Sequence, residues 1–192
     1  TAPACGRCLL APIGIAADRH MQTLPAPTRA VPAPDAHKYS RGMVLIASGP
    51  MQGAAALSAA AALRAGAGYV VLESDRPAPL SAIIVEEGDA FAKRLGDPRV
   101  GALVIGPGFP AGDALDARLA AALASRTPLV LDAAAIPAAL PHLAGGGAHA
   151  ILTPHAGEFA RAFPEATGSK IDRARAAAAQ AAACGCACGG SS

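Results

Sequence analysis

The residues able to do chemistry in this chain stand where apolar runs stop. "MVLIAS" (43–48) leads into Gly49-Pro50, and "GYVVLE" (68–73) into Ser74-Asp75. "ALVIG" (102–106) opens "GPGFPAG", "PLVLD" (128–132) closes on Asp132, and "HAILT" (149–153) is followed by Pro154, His155 and Glu158. Short, continuous apolar runs are the pattern of strands buried on both faces. Ligands of a parallel sheet bind outside the carboxyl ends of its strands. Small residues, one acid and one histidine therefore share one edge. There, backbone N–H groups can approach an anionic or carbonyl-bearing ligand.

Each candidate also has a plainer reading. Gly106-Pro107-Gly108 serves as a turn as readily as a ligand cradle. No G-x-G-x-x-G or G-x-x-x-x-G-K-[ST] pattern is present, so neither a dinucleotide fingerprint nor a P-loop is claimed. Gly53 and Ala54 open a helix, where small residues suit either ligand approach or packing. Asp132 suits a hydroxyl, a metal-bound water or a cap, and capping is the default. The spacing predicts that Thr153 caps the next helix with Pro154 at its first position. His155 then sits exposed in the first turn, and Glu158 complements the helix dipole. His155 and Glu158 do not form H-E-x-x-H, so no zincin site is read.

The elements that position these residues alternate. Helical patterns are expected over 52–66, with Gly66 as the stop, and over 89–95. Two more are expected over 113–125, with Asp113 as cap, and 136–143; the last two cover "GEFARAF" and 171–183. Strands are expected at 43–48, 68–73, 81–87, 102–106, 128–132 and 149–153. Strands joined by helical crossovers give an α/β chain with a parallel sheet and helices on both faces. Residues 1–36, with prolines at 25, 27, 32 and 34, read as a joining segment; "LLAPIGIA" (9–16) is one short strand within it.

Composition excludes several classes. Hydrophobic residues are 53% and charged residues 16% of the 192, unlike a disordered chain. The net charge of +2 comes with no basic stripe, so nucleic-acid binding has no support. No apolar run reaches the roughly 18 residues of a membrane span, and no secretory pattern opens the chain; the expected location is cytoplasmic. The five cysteines, Cys5, Cys8, Cys184, Cys186 and Cys188, are odd in number and confined to the two ends. They are read as terminal thiols rather than as a disulfide framework or a zinc site.

Taken in order, "HKYSRGMVLIASG" (37–49), "GAAALSAAAALRAGAGYVVL" (53–72), "ALVIGPGF" (102–109), "PLVLDAAAI" (128–136) and "LTPHAGEFARAF" (152–163) resemble the ADP-dependent NAD(P)H-hydrate dehydratase family. The resemblance covers about residues 37–180. It implies a ribokinase-like three-layer α/β/α sandwich with a mainly parallel sheet. It implies dehydration of (6S)-NADHX or NADPHX to NADH or NADPH, with ADP as phosphoryl donor and Mg2+ as cofactor. By the same resemblance Ala54, Gly108 and His155 contact the hydrated nucleotide, and the protein is a homo-oligomer, a tetramer in the family.

Departures from the family pattern are local. Ala134 stands where the family has an acid two residues after the strand-ending aspartate, and Pro137 near a common asparagine. The family's later Gly-Thr-Gly-Asp motif, which carries the proposed catalytic aspartate and an anion hole, is expected beyond Ser192. The expected organisation is therefore three segments. Residues 1–36 are a linker and remnant of a preceding epimerase domain, 37–183 a partial dehydratase domain with its C-terminal part missing, and 184–192 a Cys/Gly/Ser tail. The alternatives are a small-molecule kinase of the same superfold and a non-catalytic fragment.

Overall fold

The computed structural model describes residues 31–143 and 149–180. The chain divides into two units, the second running from Ala36 to Ser191, and every described element lies in that second unit. The terminal cysteines, "LLAPIGIA" and residues 181–183 of the last expected helix lie outside the described residues.

Six strands form one sheet: β1 (Met43–Ile46), β2 (Tyr69–Glu73), β3 (Ile83–Glu86), β4 (Val100–Ile105), β5 (Leu129–Leu131) and β6 (Ala150–Leu152). Their order is β3-β2-β1-β4-β5-β6, and every neighbouring pair is parallel. The helices are α1 (Gln52–Ala65), α2 (Ala90–Arg94), α3 (Asp113–Ser125), α4 (Ala135–Leu143), α5 (Ala156–Ala162) and α6 (Lys170–Gln180). The α/β reading holds, and none of the helices is long and apolar enough to cross a membrane.

The sheet splits the core in two. Met43, Leu45, Val71, Leu103, Ile105, Leu131 and Leu152 face one way and pack with Phe91 of α2, Leu115 and Leu119 of α3, Ile136 of α4 and Phe159 of α5. Ile46, Val70, Leu72 and Ile83 face the other way, against Ala55, Ala59 and Ala60 of α1. The alanines let α1 lie close to the sheet, where larger side chains would hold it off. Gly66 ends α1 as expected, in the left-handed region at φ 110°. Its N–H bonds to Leu63 and that of Ala67 to Ala62, which satisfies carbonyls the helix end leaves open.

Several boundaries differ from expectation by one or two residues, and two of the differences have visible reasons. The strand expected at 102 starts at Val100, because the β1–β4 register shifts between Met43 and Val44 and leaves Gly101 as an extra residue. That is a β-bulge, which sequence alternation does not announce. Asp113 is not a cap. Gly112 holds that position without a side-chain bond, and Asp113 is the first helical residue, joining Asp116 as acids at the positive end of the dipole.

One ion pair ties the layers together near the edge of interest. Glu73, at the end of β2, is 4% exposed. Both its oxygens accept from Arg118 of α3, each at 2.9 Å. Arg118 also donates to the Ala114 carbonyl at 3.1 Å, and its guanidinium lies 5.5 Å from the centre of the Phe109 ring. Hydrogen bonding to Glu73 is the first cause of a raised Arg118 pKa. Arg118→Ala strands a buried carboxylate. It is expected to cost about 3 kcal/mol in urea unfolding; a loss under about 1 kcal/mol would show that the pair behaves as a surface bridge.

Candidate functional site

The strand order reverses at β1. From β1 the chain passes through α1 to β2 on one side, and from β4 through α3 to β5 on the other. The connections diverge at the carboxyl ends of β1 and β4, and a crevice is expected at that point. Its floor is backbone on backbone. A Cβ added to Gly49 would lie 2.3 Å from the Gly108 carbonyl oxygen, and one on Gly108 would lie 2.2 Å from that of Met51. Gly108 has φ 78°, its carbonyl accepts from Met51 N at 3.2 Å, and it is buried. A side chain at either glycine would push the two loops apart.

The start of α1 opens into this crevice. Met51 occupies the cap position without a side-chain hydrogen bond, and no acid lies in the first turn. The amide of Ala54 reaches the Met51 carbonyl at 3.3 Å. A 14-residue helix thus presents first-turn amides and the positive end of its dipole where a ligand would enter. Gln52 is fixed by the loop after β2: its carbonyl accepts from Ser74 Oγ at 3.0 Å and its amide donates to the Asp75 carboxylate. Ala54 is half-buried, so a larger side chain there would encroach on the same space.

His155 corrects the expected cap. Thr153 does not cap α5; its hydroxyl lies 2.9 Å from an Asp132 oxygen and 3.2 Å from the Leu131 carbonyl. His155 is itself the cap, extended at φ −74° and ψ 170°. Its Nδ1 accepts from Gly157 N at 3.0 Å and Glu158 N at 3.4 Å. Glu158 returns the bond, accepting from His155 N at 2.9 Å, and completes a capping box. His155 Nε2 lies 3.1 Å from the other Glu158 oxygen. Nδ1 is the acceptor in this cap, and the side chain stays 60% exposed.

Ala54 and Gly108 thus meet at one crevice, while His155 follows β6, two strands from β4 along the same edge. At about 4.8 Å per strand that is roughly 10 Å. Between them lie Asp132 and a pocket of about 260 Å³ lined by Ala133, Ala134, Pro137, Glu158 and Arg161. Ala133 stands at φ 49°, an uncommon conformation for a residue with a side chain. Among the described residues the Asp132 carboxylate caps no helix; it accepts from Thr153. The sequence reading missed Arg161 and Arg118. No three His, Cys, Asp or Glu side chains converge among the described residues.

Residues 43–188 match the family model described as NAD(P)H-hydrate dehydratase. The chain belongs to that family. A bifunctional NAD(P)H-hydrate repair enzyme of Mycobacterium tuberculosis is 36% identical over 172 residues, covering 82% of this chain and 35% of that protein. The ADP-dependent (S)-NAD(P)H-hydrate dehydratase of Bacillus subtilis is 32% identical over 138 residues, covering 66% and 49%. The chain therefore spans about a third to a half of the length of these curated relatives. Among solved structures, an ADP/ATP-dependent NAD(P)H-hydrate dehydratase from Bacillus subtilis, co-crystallized with ATP/Mg2+, superposes with TM-score 0.55 at 28% identity, covering 72% of this chain and 52% of that one. A ribokinase-like superfamily protein from Enterococcus faecalis superposes with TM-score 0.63 at 21% identity, covering 77% and 58%. The fold is ribokinase-like.

The capping box separates two roles of His155. His155→Ala removes the acceptor and is expected to cost about 1 kcal/mol of stability. His155→Asn keeps a good cap and is expected to unfold at the wild-type urea midpoint. Equal losses in both variants would show that the imidazole does more for stability than cap the helix.

Proposed function

We propose that the chain carries the substrate-binding edge of an ADP-dependent NAD(P)H-hydrate dehydratase, acting on (6S)-NADHX or NADPHX. The observation that carries the reading is the family match from residue 43 onward, laid over a crevice where an uncapped helix start faces two glycine-tight strand ends. Ala54 and Gly108 would hold the hydrated nicotinamide portion, and His155 Nε2–H, exposed beside Glu158, would donate to a polar group farther along the edge. An elongated dinucleotide is suited to sites spread along two strand spacings.

The reaction converts a hydroxyl into a leaving group. The hydrate's hydroxyl gives up its proton as it takes the β-phosphoryl of ADP, leaving AMP; phosphate then leaves with its bonding electrons while the adjacent ring carbon loses a proton, and the C–H electron pair becomes the restored double bond. Magnesium would offset the charge of the transferring group. It is commonly held by substrate phosphates and one or two carboxylates. The nucleotide's phosphates would supply most of its ligands. The residues described here bind and orient; the group that activates the hydroxyl is assigned to none of them. Tetramers and a cytoplasmic location belong to the same reading.

The test follows NADH absorbance with (6S)-NADHX, ADP and Mg2+. A version extended through the Gly-Thr-Gly-Asp motif is expected to turn over where the 192-residue chain does not. In the extended version, Ala54→Leu is expected to lower kcat/KM by at least roughly tenfold, and His155→Asn to raise KM at unchanged stability. Absence of turnover from both forms would sink the assignment.

A further inference from the structure

The segment "HKYSRG" (37–42) takes no part in the carboxyl edge. It lies at the opposite, amino ends of the strands and is built as a locked turn. His37 N donates to Ser40 Oγ at 3.0 Å, Ser40 N to His37 Nδ1 at 3.2 Å, and Arg41 reaches the Gly66 carbonyl at 2.6 Å. Gly68 packs beneath it so tightly that a Cβ there would lie 1.9 Å from the Lys38 carbonyl oxygen. The turn sets Lys38 and Tyr39 at the mouth of a cavity of about 450 Å³, whose walls include Leu63, Ala82 and Ile84. That volume suits a small molecule.

The polar groups of this cavity are unusual. Tyr39 and Tyr69 meet edge to face, with ring centres 5.8 Å apart. Lys38 Nζ lies 4.9 Å from the Tyr39 ring centre, and the Arg99 guanidinium lies 5.3 Å from Tyr39 and 6.0 Å from Tyr69. Arg94 is paired with Glu86, and Arg99 with Asp97. Hydrogen bonds from Arg99 lower the Asp97 pKa to about 2. Lys38 has no carboxylate partner among the described residues, so the lining cations Lys38, Arg94 and Arg99, taken with Glu86 and Asp97, leave one net positive charge. Tyr69 is 7% exposed, and its hydroxyl is buried without a hydrogen-bond partner among the described residues. Such an orphan donor is rare and costly.

We propose that this cavity binds a small organic anion: an apolar body against Leu63, Ala82 and Ile84, and a carboxylate or phosphate monoester facing Lys38, Arg99 and the Tyr69 hydroxyl. The anion supplies the acceptor that Tyr69 lacks and the counter-charge that Lys38 lacks. In the free chain the Tyr69 hydroxyl is closed off from solvent, so a side chain beside the ring must shift on binding; the candidate is Arg99, whose guanidinium lies 6.0 Å from the ring centre. That side chain is 42% exposed and held by a partner on its own surface loop, which makes the movement inexpensive. The site lies at the opposite end of the strands from the proposed catalytic edge and does not depend on the activity assigned there.

The sequence supplies its own reporter. The chain has two tyrosines and no tryptophan, and both tyrosines line this cavity. Tyrosine emission is titrated with hexanoate, hexyl phosphate, hexanol and inorganic phosphate, none of which absorbs with tyrosine. Saturable changes are expected with hexanoate or hexyl phosphate and should weaken with added salt. Hexanol and inorganic phosphate are each expected to bind at least roughly tenfold more weakly, a difference of about 1.4 kcal/mol. Tyr69→Phe and Lys38→Gln are each expected to weaken the organic anions severalfold without lowering the urea midpoint. Several results would overturn the proposal: no saturable change with any probe, hexanol as good as hexanoate, inorganic phosphate as good as hexyl phosphate, or Tyr69→Phe binding as the wild type does.

Discussion

The candidate site depends on how closely two backbones approach at the middle of the sheet. Gly49 after β1 and Gly108 after β4 touch where any side chain would intrude, and the Gly108 carbonyl accepts from Met51 at the mouth of α1. This contact fixes the start of α1 relative to the loop after β4. Were the loops wider apart, the first-turn amides of α1 and the backbone of residues 106–108 would no longer face one ligand. The Glu73–Arg118 pair supports the arrangement from beside it. It ties α3 to β2, and its guanidinium rests on Phe109, next to Gly108. Strand order places the crevice, glycine narrows its floor, and a buried charge pair holds the loop that forms one wall.

The two faces of the sheet are unequally covered among the described residues. Helices α2 to α5 pack on one face across most of the sheet's width. On the other face α1 packs over β1, β2 and β3, while β5 and β6 carry Val130 half-buried and Ile151 46% exposed. Isolated exposed apolar residues are ordinary, but apolar residues of adjacent strands facing the same way form a patch. The asymmetry leaves the site itself intact, because the crevice is formed by β1, β4 and α1, all of them packed.

Much of the fold was legible because its signals are local. Apolar runs that stop at Gly, Asp or Thr-Pro marked the strand ends, the parallel-sheet rule placed those ends on one edge, and Gly66 marked a helix stop. The family resemblance, carried by the order of five segments, agrees with the family model and with the solved relatives. What was not legible depends on tertiary approach. Glu73 and Arg118 are 45 residues apart, and nothing in their local sequence couples them. The bulge at Gly101 reflects the pairing of β1 with β4. His155 was missed as a cap because Thr-Pro is the stronger local signal, yet Asp132 takes the Thr153 hydroxyl and leaves the imidazole to close the helix. The Tyr39–Tyr69 cavity joins a turn to a strand some 30 residues on and has no signature beyond an unexplained "HKYSRG".

In the proposed dehydratase the nicotinamide nucleotide lies along the carboxyl edge, in the crevice between β1 and β4. Amide chemical-shift mapping of the labelled chain with NADH, the stable product, tests that placement directly. Shifts are expected at Gly53, Ala54, Gly108 and the His155–Glu158 cap, with Tyr39, Tyr69 and Arg99 unmoved. Shifts confined to the amino-end cavity, or spread evenly over the surface, would contradict it.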